Sequence, residues 1–272
     1  MKTRLILAAI LLPLLLTVIL VLPKVLTAIL FGILSALVAY ELLANTGLVK
    51  QTRLLIYSMV AAFCVSIWSY CGMSYAWGVL GLLAFLSLLF MEMMIGQMKL
   101  RLSKIALCLV GGLLMPYLLC SLVRLQAGDV TGRFYIMLPF VVAFLSDSGA
   151  YFIGKFLGKH QLAPLISPKK TIEGAVGGLA TGIIGMLIYG LLLDFAFGFT
   201  VNYFYAMIYG LVGGLAGMFG DLWFSAIKRQ TGIKDFGTIL PGHGGVLDRF
   251  DSMMTVGPLL EILVVLLPVA VK

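Results

Sequence analysis

Nine apolar runs follow one another along the chain, near residues 5–22, 25–44, 54–70, 75–96, 105–123, 134–154, 174–197, 202–224 and 253–271. Each approaches the roughly 20 residues that a helix needs to cross the hydrocarbon core of a bilayer. The runs are continuously apolar, without the polar–apolar alternation of an outer-membrane strand, so they predict helices. The breaks between them are short: Pro23-Lys24, the stretch from Asn45 to Arg53, Gly72, the stretch from Gln97 to Lys104, and that from Gly128 to Arg133. Breaks this short make successive helices antiparallel. Lys2 and Arg4 precede the first run, as they would in a signal peptide. That run is long for a signal peptide and leads into the next helix without a small-residue cleavage site, so it reads as a span. The pattern predicts an all-α integral membrane protein with about nine transmembrane helices.

Composition agrees. Of 272 residues, 62% are hydrophobic and 11% charged, whereas a soluble domain carries about 25% charged residues. Soluble, disordered and secreted disulfide-rich classes are thereby excluded. A net charge of +8 would suggest a nucleic-acid partner for a soluble protein. In a membrane protein the same excess gathers in cytoplasmic loops, so no nucleic acid is expected. With the N-terminus in the cytoplasm, fifteen basic residues fall inside, and four (Lys24, Arg124, Arg133 and Lys272) fall outside. That bias predicts a cytoplasmic N-terminus, an outside C-terminus and an odd number of spans. The compact chain suits a bacterial cytoplasmic (inner) membrane. Cys64, Cys71, Cys108 and Cys120 lie in or beside apolar runs without a C-x-x-C spacing, and read as small packing residues.

Polar residues divide the chain. Residues 1–139 read as plain membrane helices, about five spans. Residues 140–272 read as a catalytic membrane domain with two cytoplasmic polar loops, 155–173 and 225–252. The second loop is the densest in chemistry. Asp221, Asp248 and Asp251 offer hard oxygen ligands, and the last two are three residues apart, on one face if helical. Mg²⁺ is held by one or two carboxylates together with substrate phosphates. Lys228, Arg229, Lys234 and Arg249 can neutralise phosphate oxygens. Gly242, Gly244 and Gly245 let backbone N–H groups approach an anion, and His243 can donate to a phosphate or move a proton. Solvated loop charges pairing with one another are the blander account, but this crowding in a charge-poor chain favours metal-assisted phosphoryl or nucleotidyl transfer.

The order S-x-I-K-R-x4-K-D-F-G-x2-L-P-G-H-G-G-x2-D-R-x-D, from Ser225 through Asp235 to Asp251, resembles the signature of the phosphatidate cytidylyltransferases (CDP-diacylglycerol synthases). Asp147-Ser-Gly-Ala-Tyr151, Gly154, Gly158 and Ser167-Pro168-Lys169-Lys170-Thr171-x-Glu173-Gly174 resemble further elements of that family. The resemblance covers roughly residues 140–255, and no motif position departs from it. It implies a reaction of CTP with phosphatidate, giving CDP-diacylglycerol and pyrophosphate with Mg²⁺ or Mn²⁺. It also implies metal ligation by Asp221 and Asp248, with Asp251 as second choice. Lys228, Arg229 and Lys234 would hold phosphates of either substrate, and a homodimer is implied as well. A sibling enzyme activating another lipid phosphate with CTP stays open on the same chemistry.

Other candidates carry less. Ser167, Lys169, Lys170 and Thr171 lie in the first polar loop, where Thr171 and Glu173 are placed to open the seventh helix and its N-terminus would suit phosphate. Asp147 sits inside the sixth run, where an acid is functional by default or caps a broken helix. Glu92 and Glu261 are weaker cases, and His160 is uninformative. Gly154-x3-Gly158-Lys159-His160 has the wrong spacing for a Walker loop. Glycines recur every three or four residues from Gly174 to Gly182 and from Gly210 to Gly220, which means close helix packing or a subunit interface. An anion transporter, the competing class, would show midplane binding groups and repeated halves, and the sequence shows neither.

Overall fold

The computed structural model describes residues 13–96, 100–127, 131–239 and 244–271. Among the described residues, seven helices are long and apolar enough to cross a membrane. They are α1 Lys24–Asn45, α2 Thr52–Cys71, α3 Tyr75–Ile95, α4 Leu102–Ala127, α5 Gly132–Leu157, α6 Ile172–Phe197 and α7 Tyr203–Thr231. Two shorter helices follow, α8 Leu247–Phe250 and α9 Met253–Leu266. The protein is thus a predominantly helical, multi-pass membrane protein. Of the nine apolar runs, the first is helical over residues 13–20 and turns at 21–22, and its residues 5–12 lie outside the described residues. The ninth gives a helix of 14 residues with Pro258 inside it.

The helices stop where the sequence supplies a chain-reversing residue. Gly72 (φ 58°) ends α2 and Gly198 (φ 69°) ends α6, both in the left-handed conformation that only glycine adopts cheaply. Two helices contain π-helical stretches, Glu41–Asn45 at the end of α1 and Val110–Leu114 in α4. The second lies just before Pro116, whose missing N–H and ring disturb the regular ladder.

The chain folds into two compact units, and they are not its two sequence halves. The first contains residues 1–127 and 231–250. Here α1 and α2 pack closely: Ser66 Oγ donates to the Ala28 carbonyl at 2.7 Å, and the Phe63 ring covers Gly32. A buried apolar cluster of Leu43, Val49, Leu54, Phe85, Leu89, Ile105 and Cys108 joins α1 to α4. All four cysteines are free thiols, Cys108 and Cys120 buried, Cys64 and Cys71 exposed.

The second unit contains residues 128–230 and 251–272. Its centre is the pairing of α5 with α6, made possible by glycines. A methyl group on Gly178 would stand 2.8 Å from the Ser146 carbonyl oxygen, and one on Gly174 would stand 2.8 Å from that of Ala150. The glycine rows therefore serve packing within the chain. A hairpin of β1 Gln161–Ala163 and β2 Ser167–Thr171 links the two helices at one end. At the other end, β3 Thr200–Val201 pairs with β4 Ala270–Val271.

Candidate active site

In the second unit the polar groups gather around Asp221, about two-thirds of the way along α7. The α7 helix continues to Thr231, so Ser225, Lys228 and Arg229 stand on its final turns and not in a loop beginning at 225. Two features allow this. Ser225 lies four residues after Asp221 and donates to its Oδ1 at 3.2 Å. Lys228 and Arg229 lie at the helix C-terminus, where the backbone dipole favours cations. Lys170, at the end of β2, reaches Asp221 Oδ2 at 2.5 Å, with both side chains partly exposed.

Two more carboxylates act on this group. Asp147 on α5 interacts electrostatically with Asp221 and Lys170. Asp251, which leads into α9, interacts with Asp221, Lys228 and Asp147. Burial pushes the Asp251 carboxyl up to about 7, and the charge of Asp221 adds to the effect, while the Ser252 N–H and Lys228 oppose it. Asp251 is placed by close contact of its backbone with α7. A methyl group on Gly220 would meet the Asp251 carbonyl oxygen at 2.9 Å, and Thr255 Oγ1 donates to the Ala216 carbonyl at 2.7 Å.

The hairpin is fastened at its base. Thr171 Oγ1 accepts the Gly174 N–H at 3.1 Å and so caps α6, as its position predicts. Glu173 accepts the N–H groups of Lys159 and His160, and its Oε1 lies 2.6 Å from His160 Nδ1. Arg229 Nε donates to the Ile166 carbonyl at 3.2 Å, tying α7 to the hairpin. Ser167 is half-buried on β2, and Lys169 is exposed beside Lys170.

The first unit holds the rest of the long motif. Lys234, Asp235 and Arg249 are exposed. Leu240, Pro241, Gly242 and His243 lie outside the described residues. Asp248, expected at the metal, is buried, and its Oδ2 accepts the N–H groups of Phe236 at 2.7 Å and Gly245 at 3.0 Å. Gly244 has φ 84° and packs against this carboxylate, and Gly245 is buried next to it. Two residues not singled out from the sequence organise the same segment. Glu41 accepts the Val246 and Leu247 N–H groups, and Asn45 Nδ2 donates to the Phe236 carbonyl at 2.7 Å. The signal that would have found Glu41 is the one that marked Asp147, an acid within an apolar run.

Among the described residues, no three His, Cys, Asp or Glu side chains form a complete metal cage. Mg²⁺ needs only one or two carboxylates and fills its other positions with water and phosphate oxygens, a demand that Asp221 and Asp251 would meet. The ammonium groups of Lys170, paired with Asp221, and of Lys228, which acts on Asp251, suit the same polyanionic ligand.

The comparisons with known proteins lead in the same direction. The chain is 46% identical over 134 residues to the phosphatidate cytidylyltransferase of Staphylococcus saprophyticus, an alignment covering 49% of this chain and 50% of that protein. It is 47% identical over 134 residues to that of Staphylococcus aureus and 44% identical over 134 residues to that of Staphylococcus epidermidis, with the same coverage. The chain spans about half the length of the curated relatives it matches. A sequence model described as the cytidylyltransferase family matches residues 2–267, nearly the whole length, and by that match the chain belongs to the cytidylyltransferase family.

Proposed function

We propose that this protein transfers the cytidylyl group of CTP to phosphatidate, giving CDP-diacylglycerol and pyrophosphate. One observation carries the reading: the Lys170–Asp221 ion pair, with the charges of Asp147, Asp251 and Lys228 acting around it, in a chain of the cytidylyltransferase family. The name of the relatives supplies the lipid acceptor.

In this reaction a phosphate oxygen of phosphatidate forms a bond to the α-phosphorus of CTP. The bond from that phosphorus to the oxygen bridging the β-phosphorus breaks, and pyrophosphate leaves with the electron pair. The acceptor is already an anion, so no strong base is needed. The barrier lies in bringing anions together and in charge growing on the leaving group. A divalent cation, Mg²⁺ or Mn²⁺, supplies charge neutralisation at the phosphates when bound. Asp221 and Asp251 are the residues to hold it. Lys170 and Lys228 neutralise phosphate oxygens beside it, while Lys169 and Arg229 draw the polyanion in. Asp248 acts by shaping its own loop.

We also propose nine membrane crossings, with the N-terminus and the site facing the cytoplasm of a bacterial cell. The short α9 supports this count. It starts beside Gly220 of α7 and ends where Tyr209 donates to the Leu267 carbonyl, just before β4 pairs with Thr200–Val201. It therefore runs antiparallel to α7 over the same depth. The test of the activity is transfer of label from CTP to the organic phase by purified protein supplied with phosphatidate. Label should enter lipid with Mg²⁺ and fall to background in excess EDTA. Transfer undiminished by EDTA would overturn the metal role, and transfer only to a different lipid phosphate would overturn the acceptor.

A further inference from the structure

Glu41 is an acid at the end of a membrane helix, and its side chain is wholly buried. It lies in the π-helical stretch Glu41–Asn45, a geometry found often at functional sites. Its two oxygens are divided between two successive backbone amides: Oε1 accepts Val246 N–H at 2.9 Å, and Oε2 accepts Leu247 N–H at 2.8 Å. The amides stand at the start of α8, which carries Asp248 and Arg249. Two glycines make room for the carboxylate. A methyl group on Gly237 would come within 2.8 Å of its carboxyl carbon, and one on Gly245 within 2.6 Å. One turn later, Asn45 takes the carbonyl of Phe236, while Asp248 takes the N–H of the same residue. Two side chains therefore grip the backbone of Phe236, one at its N–H and one at its carbonyl. A residue with only a packing role would not need a carboxylate here, since burying a charge is costly unless it is well hydrogen-bonded.

We infer that Glu41 is a positioning residue for the transfer reaction: with Asn45 it clips Phe236 and the start of α8 to α1 and fixes the orientation of Asp248 and Arg249. The inference rests on the proposed activity only for its kinetic consequence. The structural part stands on the amides alone. An amide in place of the carboxylate offers one acceptor where two are needed, and turns a donor toward the second N–H. Glu41→Gln therefore releases one of the two amides.

The test has two arms on the full chain in detergent. Hydrogen exchange read by mass spectrometry should show the peptide containing residues 244–250 exchanging faster in Glu41→Gln, with α2, α5 and α6 unchanged. Label transfer from CTP to phosphatidate should show kcat down about 10- to 100-fold, the range typical of residues that orient a site from behind it, with both KM values little changed. Glu41→Asp keeps two acceptors and should recover part of the rate. Unaltered exchange at 244–250, or a loss of kcat that Glu41→Asp does not relieve at all, would overturn the inference. If Glu41→Gln fails to fold, Asn45→Ser carries the same test on Phe236, and unchanged exchange there overturns it equally. Absence of transfer in the unaltered protein would sink the proposed activity while leaving the exchange arm to decide the clip.

Discussion

At the scale of single residues, the second unit sets like charges side by side in a chain that has few. Asp221 pairs with the Lys170 ammonium at 2.5 Å and feels the charges of two other acids. Asp221→Asn removes the anion at the centre and keeps the shape. Turnover in the label-transfer assay should fall by at least about 100-fold, the scale lost with a major electrostatic group, while the unfolding temperature in detergent holds or rises. Retention of most activity would remove Asp221 from the proposed site. Asp251 gives a pH prediction. Its folded-state value of about 7 lies above the usual 3.8, because burial and Asp221 disfavour the charge. The folded protein therefore holds this proton more tightly than the unfolded chain does. The stabilisation is complete below about pH 4 and is lost as pH rises to about 7. In EDTA, moving from pH 5 to pH 8 should lower the unfolding temperature of the native protein more than that of Asp251→Asn. Equal shifts would mean that Asp251 is not held in this way.

At the scale of elements, close approach between helices is what places these residues, and glycine is what permits it. On α7, a methyl group at Gly210 would stand 2.5 Å from the Ile183 Cα and 2.8 Å from the Gly182 carbonyl oxygen, both backbone atoms that cannot swing aside. Gly81 on α3 has nothing within 4 Å of the same position. Gly210→Ala should cost about 1–3 kcal/mol through overpacking, whereas Gly81→Ala should be neutral or slightly stabilising through helix propensity. Thermal unfolding of the two variants side by side is the measurement, and equal behaviour would refute the packing account. The sequence announces the spans, because continuous apolar runs have few other uses, and it announces the glycine rows by their spacing. It does not announce their partners. Glu41 shows why: its hydrogen bonds go to Val246 and Leu247, 205 and 206 residues away. Seen alone, an acid near the end of an apolar run resembles an interfacial residue. The end of α7 was hidden for a related reason, since polar residues from Ser225 to Thr231 read as loop until their helical spacing and mutual hydrogen bonds are seen.

At the scale of the whole molecule, orientation decides whether the proposed chemistry is available. CTP is a cytosolic polyanion, so the proposed reaction requires the hairpin that carries Lys169 and Lys170 to face the cytoplasm. The α6 helix separates that hairpin from the strand pair at its other end, and its 26 residues span about 39 Å, more than the roughly 30 Å of hydrocarbon. Leu165, in the hairpin turn, and Thr200, in β3, are both exposed and lie at opposite ends of α6. They make a pair of reporters that leaves the proposed site untouched. In a variant without the four native cysteines, Thr200→Cys should react with a membrane-impermeant maleimide in intact spheroplasts. Leu165→Cys should react only after the membrane is opened. The distribution of basic residues predicts this sign, because Lys155, Lys159, Lys169 and Lys170 cluster at the Leu165 end and the Thr200 end has none between residues 171 and 227. The opposite labelling pattern would place the acids and lysines of the second unit on the face without nucleotide. The proposed reaction would then have to be abandoned, even though the family assignment stood.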